Sequence, residues 1–217
     1  MSDMYVVAAT TTAVQRVSEG ANIRARGLRD GTLGVADWLE LLAAEGRIFT
    51  AGFGSVATPL TFLATAALRP DAWLRVPSGT TILPLLAWAG LVTDAGTATN
   101  IDLRICDNDV GNGTSTAATT GPITNKTNST NVTSAVVARH LATADVTTET
   151  NPRTILRIAF PGATNLGETG LRATRADMGF PVLVGPASLQ MYIAATTTQA
   201  TGYAGFSWAE VPSTFFA

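Results

Sequence analysis

The stretch Asn100–Cys106, NIDLRIC, decides the fold class. Ile101, Leu103 and Ile105 alternate with Asp102 and Arg104, and a period of two puts the apolar side chains on one face of a strand and the charged pair on the other. The same alternation returns in Thr154–Phe160 through Leu156, Ile158 and Phe160, in Ser188–Ala195 through Leu189, Met191 and Ile193, and in Gly205–Val211 through Phe206 and Trp208. Shorter apolar runs broken by Gly, Pro, Asn and Thr add Arg47–Ala51, Thr58–Thr65 and Ala72–Val76. Thr80–Val92 is apolar on both faces and suits a central position. About eight to ten strands separated by turn signals predict an antiparallel sandwich or barrel.

One segment departs from this texture. Val35, Trp38, Leu39 and Leu42 fall at i, i+3, i+4 and i+7, the spacing of one helix face, and Gly46 supplies a stop. Ahead of it the chain carries Arg16, Arg24, Arg26 and Arg29 with Glu19 and Asp30 among them, and reads as an arm. The expected organisation is therefore an N-terminal arm and short amphipathic helix over 1–46, and a β domain over 47–217. Two irregular stretches interrupt the β domain, a long polar loop over Asp107–Asn131 and a second over Gly162–Gly179. A loop as long as the first marks a surface that meets something.

Composition narrows the function. A chain of 217 residues can bury roughly 70% of its unfolded surface and needs neither disulfides nor metal to fold. Only 14% of it is charged, against roughly 25% in typical soluble domains, and Lys126 is the only lysine. A protein with so little charge uses hydroxyls and amides as its polar face, or hides its surface against partners. A net charge of −2 gives no overall basic field for nucleic acid. The lone Cys106 excludes an internal disulfide and a multi-cysteine zinc site. The first fifteen residues lack a signal-peptide pattern, and no run reaches the about 18 apolar residues of a membrane helix.

Reactive groups are sparse. His140 could pair with Cys106 or Asp145, yet nothing in the sequence brings them together, and a satisfied strand or loop histidine is the expected reading. Gly52, Gly54 and Ala57 spell a G-x-G-x-x-A turn with Asp71 downstream, but Pro59 and the β-branched residues that follow suit a glycine-rich strand bend better than a dinucleotide site. Asp107 and Asp109 suggest a calcium loop whose spacing fails, since Gly111 stands where a ligand is wanted, and a polar hairpin end is expected there. Asn112, Asn125, Asn128 and Asn131 match N-x-[ST] in a Thr-rich loop that generates such matches by chance. No cofactor or metal motif emerges, and the chain is read as non-enzymatic.

PVLVGPASLQMYIAATTTQATGYAGFSWAEVPS (181–213) and VPSGTTILPLLAWAGLVTDAGTATNIDLRICDNDVGNGT (76–114) resemble the jelly-roll virion structural proteins of bacteriophages and related viruses. The resemblance is one of texture over roughly residues 47–212 and brings no catalytic or binding motif. It implies a jelly-roll sandwich of two four-stranded sheets packed face to face. Further, it implies a capsid subunit of the virion that meets copies of itself, often round a threefold axis, and other capsid proteins. In that setting Arg16, Arg24, Arg26 and Arg29 would neutralise phosphates of a packaged genome or, as the better-supported reading, make salt bridges to a neighbouring subunit. Trp38 would lock subunits together, while Trp88 and Trp208 are expected in the core. Two alternatives stand beside this one, a decoration or cement protein of a larger shell and a β-sandwich carbohydrate-binding module of a fibre or cell surface. A hydrolase on a β scaffold, built on two carboxylates in a cleft, ranks below them.

Overall fold

A computed structural model of the protein describes residues 38–63, 69–93, 98–108, 116–117, 120–124, 133–142, 149–160, 170–195 and 199–212. The chain divides into two units, Met1–Glu45 and Gly46–Ala217. In the first, α1 (Trp38–Ala44) occupies part of the stretch expected to be helical. Gly46 follows it with φ of 76°, a left-handed conformation that glycine adopts without a Cβ penalty.

The second unit is mainly β. In chain order it contains β1 (Ile48–Phe53), β2 (Leu60–Thr61), β3 (Ala72–Val76), β4 (Thr80–Thr93), β5 (Thr99–Cys106), β6 (Thr116–Ala117), β7 (Thr120–Thr124), β8 (Val137–His140), β9 (Arg153–Phe160), β10 (Gly170–Thr174), the single turn α2 (Arg175–Met178), β11 (Leu183–Val184), β12 (Ala187–Ala195) and β13 (Thr201–Pro212). They form two antiparallel sheets. Sheet 1 runs β10-β4-β13-β1-β7, with β11 also on β4 and β2 on β13, and sheet 2 runs β6-β8-β3-β12-β5-β9.

The alternation seen in the sequence sets the register. Ile101, Leu103 and Ile105 stand opposite Ile193, Met191 and Leu189 across the β5–β12 pair, and all six are buried in the core. Sheet 1 supplies Phe49, Ala51 and Phe53 from β1, Ile82, Ala87, Ala89 and Leu91 from β4, and Ala204, Phe206 and Trp208 from β13 to the same cluster. β4 lies inside its sheet, flanked by β10 and β13, the central position expected of it. Pro84, which has no N–H to give a ladder, sits where the β4–β13 register shifts between Ser207 and Trp208.

Several expectations need correction. Asp107–Asn131 is not one uninterrupted loop, because β6 and β7 lie within it and pair with β8 and β1. Gly162–Gly179 likewise contains β10 and α2, the latter capped by the Thr174 hydroxyl, which accepts from Asp177 N at 3.2 Å. Of the strand expected over Thr58–Thr65, the described residues up to Leu63 are strand only at Leu60–Thr61, which is β2. β8 and β11 were not anticipated.

Candidate functional site

Beyond the core, sheet 2 carries a second buried layer made of polar groups. Ser188, Gln190 and Tyr192 alternate with the core residues of β12 and so face away from it, yet they are 0%, 0% and 4% exposed. Gln190 fixes the layer: its Nε2 donates to Ser188 Oγ at 3.1 Å and to Cys106 Sγ at 3.3 Å. The Tyr192 hydroxyl lies 2.6 Å from Gln190 Oε1 and 3.0 Å from Glu149 Oε1, two acceptors that share its proton. The Arg104 guanidinium stacks 4.4 Å above the Tyr192 ring. At the margin of the layer Asp102 takes two hydrogen bonds of 2.7 Å from Arg157 Nε and Nη2, the paired geometry in which guanidinium and carboxylate match best. These bonds, together with the nearby charge of Arg104, hold the Asp102 carboxyl below its usual range.

The chemistry open to this layer is limited. Burial, reinforced by the Glu149 charge, pushes the Cys106 thiol up to about 11, so at neutral pH it stays protonated and is a poor nucleophile. His140 is not its partner. It lies on β8, three strands along from β5 with β3 and β12 between, and pairs in register with the core residue Ala72. Its ring packs 5.5 Å from that of Phe53 of sheet 1, so it faces the core while Cys106 faces the outer layer. Asp145, the other partner considered for His140, lies outside the described residues.

Two carboxylates fasten loops to the sheets. Asp71, 2% exposed, accepts from Leu63 N at 2.7 Å on one oxygen and from Ile193 N at 2.6 Å on the other. Its own backbone adds bonds to Met191 O and from Leu141 N, so one residue ties the entry of β3 to β12, to the segment after β2 and to the segment after β8. Desolvation pushes its carboxyl up to about 7, with the N–H donors opposing the shift. Glu210 plays the matching part on β13, accepting from Trp208 Nε1 at 3.1 Å, from Ala135 N at 3.2 Å and from the Ser134 hydroxyl, which binds sheet 1 to the approach of β8 in sheet 2.

The outer face of sheet 1 is different in kind. Trp88 pairs with Gly205 and Tyr203 with Gly90 on the neighbouring strands β4 and β13, and each ring lies so close over its glycine that a Cβ there would strike it. Both aromatic residues are half-buried, contrary to the core placement expected for Trp88. Around them stand exposed Arg172, which pairs with Trp88 across β10–β4, and the Thr50 and Ser207 hydroxyls, bonded to each other at 2.6 Å. The result is an aromatic shelf edged with hydroxyls.

Arg16, Arg24, Arg26 and Arg29 lie outside the described residues, as do Asp109 and the four N-x-[ST] asparagines. Trp38 begins α1. The G-x-G-x-x-A stretch ends β1 at Gly54, with φ of 68°, and continues into a turn closed by Ser55 and Thr58 rather than a helix. Asp107 spends its carboxylate on Arg153 at 2.7 Å and Asn151 at 3.1 Å, a cationic environment opposite to that of a calcium ligand. No helix among the described residues is long and apolar enough to cross a membrane. Compared with protein-family models, with curated proteins and with solved structures, the chain matches none.

Proposed function

We propose that the chain is a non-catalytic structural subunit of a virus particle, a jelly-roll protein that assembles with copies of itself. The observation that carries this reading is the order of its eight main strands. Taken in sequence as β1, β3, β4, β5, β9, β10, β12 and β13, the first pairs with the eighth, the second with the seventh, the third with the sixth and the fourth with the fifth. That is the pattern of a long hairpin rolled into two sheets, and such jelly rolls build viral capsids as well as lectins and cupins. Fold alone does not choose among those. The low charge favours capsid over enzyme, since surfaces that bury against neighbours are depleted in charged residues. A Cys106 thiol held in its protonated form and a His140 turned into the core point the same way.

Light scattering and negative-stain microscopy of the full chain at near-physiological salt test the proposal. Closed shells, rings or trimers are the expected result. A monomer at every accessible concentration would overturn self-assembly and leave the decoration role to be tested against a larger shell.

A second reading, a carbohydrate-binding module, is favoured by the Trp88–Tyr203 shelf, because flat rings stack on the apolar faces of sugars. If this reading holds, a glycan array detects binding by the wild type. Trp88→Ala then loses at least about tenfold in affinity, the loss of about 1.4 kcal/mol expected for one good stacking contact. An array without signal eliminates it.

A further inference from the structure

β9 closes sheet 2 at one end and, among the described residues, pairs with β5 alone. Its other backbone edge presents N–H and C=O groups without a ladder, the condition that invites another strand. The side chains repeat the message. Leu156 and Ile158 stand opposite Leu103 and Ile101, which are fully buried, and Phe160 stands opposite the buried Thr99. Yet Leu156, Ile158 and Phe160 are themselves only partly buried against the core. The apolar row runs to the edge of the sheet and stops short of cover.

Among the described residues, two of the usual protections of an edge are absent. β9 contains neither proline nor lysine. Its two arginines are drawn back onto carboxylates of their own subunit, Arg157 onto Asp102 and Arg153 onto Asp107. The one irregularity, a register shift between Leu103 and Arg104, falls in the first half of the strand and leaves Leu156–Phe160 regular.

We propose that β9 is a seam along which two copies of this chain pair antiparallel across a twofold axis centred on Ile158, extending sheet 2 from one subunit into the next. The inference rests on the self-assembly reading and names a surface for it. The register follows from chemistry. For both apolar rows to lie on the same side of the joined sheet, residues must pair with residues of the same face, which restricts the axis to a residue position. An axis on Arg157 would set arginine directly against arginine. Moving it to Ile158 sets Ile158 against its own copy, Leu156 against Phe160, and Arg157 against the small, exposed Ala159. A strand with these residues is complementary to itself, and the pairing is isologous, so it closes at two copies.

The test uses the full chain and two changes at Ala159, whose exposure lets either be accepted without disturbing the core. Ala159→Arg places a second positive charge opposite Arg157 of the partner twice per dimer, and is expected to weaken pairing by about tenfold in sedimentation velocity across a concentration series. Ala159→Glu meets the same arginine with a carboxylate and is expected to strengthen it, while melting temperatures of both remain near that of the wild type. Register is read separately. Ile158→Cys brings two thiols to a directly opposed pair, where Cα atoms lie about 4.5–5.5 Å apart, and links covalently on oxidation, whereas Ala159→Cys does not. Opposite shifts for the two charge variants with crosslinking at 158 alone support the seam. If the wild type associates but both charge variants leave association unchanged or move it the same way, the seam is wrong and self-assembly stands. A wild type that stays monomeric removes both.

Discussion

Asp71→Asn is expected to lower the unfolding free energy by about 2–3 kcal/mol, seen as a lower denaturant midpoint with an unchanged slope. The carboxyl is buried and each of its oxygens accepts one backbone N–H, from Leu63 and from Ile193. An amide has only one accepting oxygen, so one of those N–H groups must face an NH2 group and lose its partner in a place where water does not replace it. Because Asp71 joins segments from β3, β12 and the chain after β2, the loss is felt where the two sheets are tied at one end rather than at a single strand. A variant as stable as the wild type would mean that the loop after β2 detaches at little cost.

The same residue sets a pH dependence of definite sign. Its folded value of about 7 lies above the ordinary carboxyl range near 4, so between those values the native protein holds a proton that the unfolded chain has released. The stabilisation is complete below about pH 4 and is lost as pH rises through 7, at up to about 1.4 kcal/mol per pH unit. Asp102 acts with the opposite sign: its lowered value gives stability that is present above about pH 4 and lost as pH falls through the folded value. Denaturant melts of the wild type at pH 5 and pH 7.5 should therefore show the higher midpoint at pH 5, and Asp71→Asn should abolish the difference. A wild-type midpoint that does not fall over this range would mean that the two N–H donors keep Asp71 ionised in spite of burial.

How far the sequence reveals this molecule depends on what makes each strand. NIDLRIC, AWLRV and the run from Thr80 are legible because side-chain burial shapes them: one face meets the core, and the period of two is the result. TGPIT in β7 lacks that pattern, and in GLRAT of β10 it is only three residues long, Leu171 and Ala173 about Arg172. Both strands lie at sheet edges, laddered to β1 and β4, and β10 adds Leu171 and Ala173 to the core. The candidate site was less legible still. Asp71 bonds a backbone group 122 residues away, at Ile193, and no local spacing announces such a partner. The phase of β4 was also hidden, because a strand apolar on both faces does not say which of Ala87 and Trp88 points inward. Its neighbour decides: Gly205 leaves room for an indole on the outer face, and Phe206 fills the inner one.

That complementarity makes Gly205→Ala the other substitution with a large expected effect, a loss of about 2–3 kcal/mol. The added Cβ would meet the Trp88 ring and would lie 2.7 Å from the Ala51 carbonyl oxygen of β1. The ring can swing away, at the expense of its contact with the sheet, but the carbonyl belongs to the β1–β13 ladder and can move only with the backbone. Gly90→Ala is the control. There the obstacle is the far end of the Tyr203 side chain, which can rotate outward, and the smaller backbone entropy lost by alanine offsets part of the strain, so a change below about 1 kcal/mol is expected. Combining Gly205→Ala with Trp88→Ala separates the two obstacles, since the double variant removes the ring and leaves the carbonyl. If the ring is the main barrier, the pair will be less destabilised than the sum of the single changes; strict additivity would assign the strain to the β1 backbone and make the aromatic shelf a passive cover over it.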